Sequence, residues 1–253
     1  MSLISNEIHI LDGFNKTVLV FAADRRITRD GKYHATLPKL FPIPYLRAGI
    51  SYFGVAEVSS SKRGRQDMAQ WLPDFINQQP GTKDLKTFAG ELRNSLNQVV
   101  PPHVLAAQAS GFHLCGYNLQ GIPEFWFITN VGGMDHLNYT GLGSRFREPR
   151  PDFLERDAKT QGWDGVNLGS VRNAVQVYRN GDIRAHVSAW RELDNFLREM
   201  RKYADFRQLR SVDDFAEAAK FKMEVIAYLY KKFCRKSIIG RPIDAFALAH
   251  NFP

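Results

Sequence analysis

The sequence contains few cysteines and no long apolar run. Its 253 residues include two cysteines, Cys115 and Cys234, too few for a disulfide framework, so we expect a cytoplasmic protein. Both lie in apolar strand and helix patterns, which predicts buried core residues and not nucleophiles. No apolar stretch approaches the roughly 20 residues that span a bilayer. The start, MSLISNEIHIL, lacks the basic segment and small-residue cleavage site of a signal peptide.

Ligand-binding signatures are also missing. The sequence has no cysteine and histidine spacing typical of zinc sites, no glycine-rich phosphate loop and no RNA-binding aromatic motif. We therefore expect neither a metal nor a cofactor. The formal net charge is +8, but basic residues are mixed with acidic ones, and their densest group is a short loop, residues 61–65. A solvated basic face explains this charge, and nucleic acid is not an expected partner.

The stretch from residue 17 to residue 54 organises the chain. It reads as a strand ending at Asp24, a polar turn at Asp30-Gly31, an extended region that reaches Lys39, and an apolar strand that closes on Gly54. One carboxylate, one ammonium and one flexible backbone N–H are thereby placed at strand ends. The sequence predicts a small site there.

The rest of the chain alternates strands and helices. Strands are predicted at 7–11, 17–23, 103–117, 124–131, 137–142 and 243–249, a hairpin at 174–187 around Asn180-Gly181, and helices at 66–77, 85–100, 189–202 and 212–233. Thr82 or Asp84 is expected to cap the second helix, and Ser211 with Asp214 the last. Residues 147–170 show no periodicity and are interpreted as an irregular excursion. This order predicts an α+β layered fold in a single domain, residues 1–253.

Three blocks of sequence resemble one protein family. AADRR, KLFPI and ISYFGVAE in residues 22–57 resemble the opening of proteasome β-type subunits and their bacterial relatives, HslV and the Anbu proteins. FHLCGYNLQGIPEFWFITNVGGMDHLNYTGLGSRF, residues 112–146, resembles the central strands of that family, and SIIGRPIDAFALA, residues 237–249, its C-terminal strand. The resemblance implies the four-layer αββα sandwich of N-terminal-nucleophile hydrolases.

The resemblance also implies roles for five residues. In the family, the first residue after processing is the nucleophile and its own α-amine is the base. Asp24, Lys39 and Gly54 match the Asp that holds the Lys, the Lys that activates the nucleophile, and the glycine whose N–H stabilises the oxyanion. Arg26 matches a supporting arginine, and Ser144 a serine that polarises the amine. Four of them also have a plain structural reading: Asp24 and Lys39 as an ion pair, Gly54 as a tight contact between strands and Ser144 as a turn residue.

The sequence departs from the family pattern at the position of the nucleophile. Counting back from Asp24 by the usual strand–turn–strand length reaches Glu7 and Ile8, which carry no hydroxyl or thiol. A longer turn at residues 12–16 shifts the register to Ser2, which is exposed once Met1 is removed. Ser5 would require cleavage after Ile4, where the usual small residue is missing. The plain alternative is that residues 1–6 form a short frayed extension.

The C-terminal block departs from the family as well. Residues 236–239 stand where active members carry an Asp and a Ser, Ser237 is close to that register, and Arg241 replaces a glycine. Two functions therefore stay open: a peptidase or amidase with Ser2 as nucleophile, or a non-catalytic structural subunit comparable to proteasome α-type subunits. Both functions imply that copies of the chain assemble into a homo-oligomeric ring or stack. A catalytic chain would take a peptide substrate, and whether a regulatory ATPase is a partner stays open.

Overall fold

The computed structural model describes residues 2–29, 32–60, 64–151, 172–203 and 209–252. The strands are β1 (Leu3–Asp12), β2 (Lys16–Asp24), β3 (Arg26–Arg29), β4 (Lys32–Thr36), β5 (Leu40–Ile43), β6 (Ala48–Phe53), β7 (Glu57–Ser60), β8 (Gly64–Asp67), β9 (Gly111–Tyr117), β10 (Pro123–Thr129), β11 (Gly133–Asp135), β12 (Asn138–Thr140), β13 (Arg172–Gly181) and β14 (Ile243–His250). The helices are α1 (Met68–Asn77), α2 (Leu85–Val99), α3 (Pro102–Ala107), α4 (Arg191–Tyr203) and α5 (Val212–Phe233). The predicted turn at Asp30-Gly31 and most of the predicted loop 61–65 and excursion 147–170 lie outside the described residues.

The predicted four-layer αββα sandwich is wrong. The described strands form five separate antiparallel sheets, two of four strands and three of only two strands. Together with five α-helices, they make a mixed fold of small antiparallel sheets. The physical reason is that alternating polar and apolar residues predict a strand but not its partner. The short pairs β3–β4, β7–β8 and β11–β12 satisfy their backbone hydrogen bonds outside either larger sheet.

The two larger sheets have the strand orders β13-β1-β2-β14 and β10-β9-β6-β5. In β2, every residue after Lys16 is buried, and every residue of β6 and of β9 is buried. Strands that lose solvent on both faces are expected to be apolar throughout and not alternating. This explains the near-continuous apolar runs in these segments.

The buried apolar side chains form three clusters. One packs α1 and α2 against β6 and β9, with Leu72, Phe88 and Phe112 among its members. The second packs α5 against β1 and β2 and includes Trp190. The third combines side chains of both four-stranded sheets, Phe21 and Phe127 among them. The strands β1, β2 and β6 are therefore fixed by the packing of their side chains in these clusters.

Helix caps follow the sequence closely. Asp84 accepts a hydrogen bond from the Thr87 N–H at 2.8 Å and begins α2, which confirms one of the two predicted caps. Ser211 and Asp214 form the predicted capping box of α5. No helix in the described ranges combines the length and apolar character needed to cross a membrane.

Two element predictions are wrong. Residues 103–117 were expected to be one strand, but α3 occupies the first part and β9 begins at Gly111. Pro102 stands at the first position of α3, where the missing N–H costs nothing, so the proline pair begins a helix as well as ending one. The predicted hairpin around Asn180-Gly181 does not form either. β13 pairs with β1, and a short π-helical segment, Ala185–Trp190, follows it.

Candidate functional site

Asp24 and Lys39 form a fully buried ion pair. Asp24 ends β2 and Lys39 immediately precedes β5. The Lys39 Nζ lies 2.8 Å from the Asp24 Oδ1, and both side chains are 0% exposed. Lys39 also donates to the Arg26 carbonyl at 2.5 Å. The ammonium is thus held by one carboxylate and one carbonyl.

The Asp24 carboxylate connects four segments of the chain. Its Oδ1 accepts the Leu3 N–H at 2.8 Å as well as the Lys39 ammonium at 2.8 Å. Its Oδ2 accepts the Arg26 N–H at 3.3 Å and the Gly240 N–H at 3.4 Å. Because the donors come from the start of β1, the start of β3, the segment before β5 and the segment before β14, one side chain fixes the positions of all four.

Burial and charge act in opposite directions on Lys39. Loss of solvent lowers the pKa of the Lys39 ammonium, and Asp24 opposes that shift through its charge and hydrogen bond. A lysine in such a place is poised to exchange a proton or to act as a fixed positive charge. Both properties suit an activating group beside a nucleophile.

Ser2 lies at the same end of the sheet. The N–H of its peptide bond to Leu3 donates to Asp24, and the Ser2 carbonyl accepts the Asp182 N–H at 2.8 Å. Residues Leu3 to Asn6 are at most 1% exposed, and Ser2 is 6% exposed. The alternative of a frayed extension is therefore wrong for residues 2–6. In the register of β1 with β2, Ile4 lies opposite Ala23 and Glu7 opposite Val20, so Ser2, and not Glu7 or Ile8, lies beside the end of β2.

Arg26 contributes to the site through its backbone. Its N–H contacts Asp24 and its carbonyl contacts Lys39. Its guanidinium lies over the Tyr33 ring, 5.1 Å from the centroid. The side chain is therefore directed to the β3–β4 pair and supports the site from outside.

Gly54 immediately follows β6. The Tyr52 N–H donates to the Lys39 carbonyl at 3.1 Å, which places the end of β6 beside the backbone of Lys39. Gly54 has φ of +88°, and a Cβ there would collide with the Ala109 carbonyl and the Ser110 hydroxyl. Only glycine fits this conformation and this space.

Ser144 is exposed and does not contact the Asp24–Lys39 pair. A chain of hydrogen bonds nevertheless connects its neighbourhood to Gly54. The Gly143 N–H donates to the Asn130 carbonyl at 2.8 Å, the Asn130 Oδ1 accepts the Ser110 N–H at 2.8 Å, and the Ser110 Oγ accepts the Val55 N–H at 3.2 Å. Of the predicted residues, Asp24, Arg26, Lys39 and the Ser2–Leu3 peptide are joined by direct hydrogen bonds. Gly54 is linked to them through Tyr52, two residues earlier, and Ser144 only through the hydrogen-bonded segments around Gly54.

Three further residues of this region were missed in the sequence. Ser110 and Asn130 hold the backbone after Gly54, and Asp182 contacts Ser2. Asn130 lies near the end of a predicted strand. Its role depends on hydrogen bonds from its side-chain N–H groups to three backbone carbonyls, those of Leu105, Gln108 and Gly143. Asp182 followed an Asn-Gly pair that is typical of a turn. No local pattern distinguishes either residue from an ordinary loop residue.

The remaining predicted candidates occupy structural positions. The Ser237 Oγ donates to the Ile239 carbonyl at 3.3 Å, and the block contacts Asp24 only through Gly240. Cys115 is buried and burial raises its pKa, but Cys234 is exposed, so its predicted burial is wrong. The apolar face of α5 ends before Phe233, which is itself exposed.

The described residues contain no group of three or more His, Cys, Asp or Glu side chains arranged to hold a metal ion. The residues around Asp24 offer a hydroxyl, a carboxylate, an ammonium and backbone amides, which are groups that acyl transfer can use. A scan against protein-family models and a search of curated proteins both return no match for this chain.

Proposed function

We propose that this chain is an N-terminal-nucleophile hydrolase of the proteasome β-type kind that cleaves peptide or amide bonds. One observation carries the proposal: the Asp24 Oδ1 accepts both the Leu3 N–H and the Lys39 ammonium at 2.8 Å. The ammonium and the residue that follows Ser2 are therefore bound to the same oxygen atom. The three sequence blocks that resemble the family support the same conclusion.

The reaction requires that the Ser2 α-amine be free. The Ser2 hydroxyl then attacks the substrate carbonyl carbon and passes its proton to that amine. The carbonyl oxygen takes the displaced electron pair and is stabilised by the Gly54 N–H. The leaving nitrogen then takes that proton from the α-amine as the C–N bond breaks. Water, activated by the same amine, hydrolyses the Ser2 ester.

Lys39 and its partners set the electrostatics of these steps. Its positive charge disfavours protonation of the nearby amine and favours the developing negative charge on the Ser2 oxygen. Asp24 holds the ammonium in place, and Arg26 adds its backbone carbonyl. Ser144 is exposed and is connected to Gly54 only through hydrogen-bonded segments, so none of these steps is assigned to it.

A second candidate function is a non-catalytic structural subunit. The four donors on the Asp24 carboxylate favour it, because a buried carboxylate that ties strand ends together is satisfied in the same way. The two functions differ in what happens when the Ser2 amine is released.

Release of the Ser2 amine is expected to switch hydrolysis on. We would produce the chain with a removable extension that ends immediately before Ser2, and verify the new terminus by intact mass. Fluorogenic peptides and amides should be cleaved only after removal, because the attached amine is the base. Ser2→Ala should lose at least about 10³-fold in kcat, whereas Ser5→Ala, the neighbouring buried hydroxyl, should keep activity.

The uncleaved protein is the matched control. Hydrolysis that does not depend on Ser2 or on its free amine would contradict the proposal. Equal, negligible rates for all forms over the whole substrate set would leave the structural subunit as the function.

We further propose that copies of the chain assemble with one another in the cytoplasm. Four exposed large apolar side chains lie on α5: Phe221, Tyr228, Leu229 and Phe233. Phe221 and Tyr228 are seven residues apart and therefore share one face of the helix. Apolar surface of this kind is typical of a protein interface, and a second copy is the occupant that the family resemblance implies.

Charged substitutions on this face are expected to prevent assembly. The double variant Phe221→Lys/Tyr228→Lys should sediment as a monomer under conditions in which the parent protein forms a higher oligomer. Leu119→Lys, at an exposed apolar position in a turn, should leave the oligomer unchanged. Analytical ultracentrifugation measures both. An oligomer that survives the double variant would place the interface elsewhere.

A further inference from the structure

A chain of buried polar side chains runs through the apolar region shared by the two larger sheets. Asn6, His113 and Asn180 are at most 1% exposed. The His113 Nδ1 lies 2.8 Å from the Asn6 Oδ1, and its Nε2 lies 2.8 Å from the Asn180 Nδ2. The Tyr139 hydroxyl donates to the Asn180 Oδ1 at 2.6 Å. We call Asn6, His113, Asn180 and Tyr139 the interior network.

The hydrogen bonds of the interior network fix the state of His113. The Asn6 Oδ1 can only accept, so the His113 Nδ1 carries a proton. The Asn180 Nδ2 can only donate, so the His113 Nε2 does not. The ring is therefore neutral with its proton on Nδ1. Burial lowers the pKa of His113 well below its ordinary value, and His186 adds to the shift.

The interior network ends against the Ser2 peptide. The Tyr139 hydroxyl, which donates to Asn180, accepts the Gly181 N–H at 3.1 Å. The next amide in the chain, that of Asp182, donates to the Ser2 carbonyl at 2.8 Å. Gly181 has φ of +103°, and a Cβ there would overlap the Ser2 carbonyl oxygen. The segment that contacts Ser2 is thus held from behind by Tyr139.

A purely structural role would not require these side chains. Replacing a buried polar set by apolar residues of similar volume is often neutral or stabilising, and the surrounding cluster contains residues such as Ile8, Phe125 and Phe127. A hydrogen-bonded polar network instead favours one arrangement of the chain, even though the buried Asn6 Nδ2 has no hydrogen-bond partner. Here the arrangement that it fixes is the contact between Gly181, Asp182 and Ser2.

We infer that the interior network is a positioning device for Ser2, in which Asn6, His113, Asn180 and Tyr139 hold Gly181 and Asp182 against the Ser2 carbonyl. Asp24 holds the N–H side of the Ser2–Leu3 peptide and the interior network holds the carbonyl side. The inference rests on the proposed function, since it gives a reason for fixing Ser2 so closely. A displacement of this peptide would move the hydroxyl relative to Lys39 and Gly54.

Tyr139→Phe tests the inference with the smallest change. It removes the hydroxyl that joins Asn180 to Gly181 and keeps the ring. In the form with a free Ser2 amine, kcat should fall about tenfold with KM unchanged within about twofold. The control is Tyr45→Phe, which also loses one hydrogen bond, that to the Ile76 carbonyl, and should keep kcat. His113→Gln, which retains one donor and one acceptor, should lose less than His113→Leu.

Hydrogen exchange gives a readout that does not depend on hydrolysis. The Asp182 amide should exchange at least about tenfold faster in Tyr139→Phe than in Tyr45→Phe, and nitrogen NMR of the parent protein should show neutral His113 with its proton on Nδ1. Unchanged kcat in an active enzyme, or unchanged exchange at Asp182, would overturn the inference. If no form hydrolyses any substrate, the proposed function fails, and exchange at Asp182 alone decides the positioning of Ser2.

Discussion

Lys39→Met is expected to lower kcat/KM for peptide hydrolysis by at least about 10³-fold. The variant removes the positive charge beside the Ser2 amine and leaves a side chain of similar length. Without that charge the amine protonates more readily and no longer accepts the proton of the hydroxyl. The measurement is steady-state hydrolysis of a fluorogenic peptide by the form with a free Ser2 amine.

Stability must be measured in the same variant, because Lys39 is the partner of a buried carboxylate. Removing one member of such a pair typically costs about 3–5 kcal/mol. The backbone N–H groups of Leu3, Arg26 and Gly240 still bind Asp24, so we expect the lower end of that range. Urea unfolding of Lys39→Met and of the double variant Asp24→Asn/Lys39→Met separates the two effects. The double variant should recover only part of the stability, because the Asn side chain has one acceptor oxygen for the N–H groups of Leu3, Arg26 and Gly240, and it should not recover activity.

Lys86→Met serves as the control for a lysine on the surface. This variant should change the free energy of unfolding by no more than about 0.5 kcal/mol. It should leave the rate of hydrolysis unchanged. A folded Lys39→Met protein that keeps more than a tenth of the parent activity would remove Lys39 from the mechanism.

The part of the site that sequence could locate lies at strand ends. Asp24, Lys39 and Gly54 each follow or precede an apolar run, and strand ends can be located from turn residues and periodicity. Asp24 belongs to one four-stranded sheet, whereas Lys39 and Gly54 flank strands of the other. Their approach therefore depends on the packing of the two sheets against each other, which these local patterns do not specify.

The rest of the site depends on pairing between distant segments. Ser2 becomes part of it because β1 pairs with both β2 and β13, and β13 is more than 150 residues away. Asn180-Gly181 is a strong local signal for a hairpin turn, but Gly181 uses its positive φ to let the Ser2 carbonyl approach. The sequence pattern correctly marked Asn180-Gly181 as a position with an unusual backbone conformation. Only the contact between distant segments explains why that conformation is needed.

Lys222→Met is expected to destabilise the protein by about 3–5 kcal/mol at neutral pH. The Lys222 ammonium on α5 lies 2.9 Å from the Glu7 Oε1 and 3.3 Å from the Asp194 Oδ1. Glu7 is 4% exposed, so the variant leaves a buried carboxylate that still contacts His9, whose Nε2 lies 2.9 Å from the Glu7 Oε2. The Trp190 ring, 5.1 Å from the ammonium, also loses a cation–π contact.

The pH dependence of this loss identifies Glu7 as its source. Burial by itself raises the pKa of Glu7, but Lys222 and His9 outweigh burial and hold that pKa well below its ordinary value. A carboxylate with a depressed folded pKa stabilises the protein above its unfolded pKa of about 4.3, and that stabilisation is lost as the pH falls towards the folded value. The difference in unfolding free energy between parent and Lys222→Met should therefore be largest near pH 7 and shrink below about pH 4.

Two further variants separate charge from packing in this cluster. Glu7→Gln/Lys222→Met should recover most of the stability that Lys222→Met loses, because no unpaired carboxylate is left buried. Lys220→Met, on the same helix and paired with Glu217 at the surface, should cost no more than about 0.5 kcal/mol. Urea unfolding between pH 3 and pH 8 measures all of them. If Lys222→Met costs no more than Lys220→Met at pH 7, the contact between Glu7 and Lys222 does not hold α5 against β1, and packing of the apolar cluster alone would have to do so.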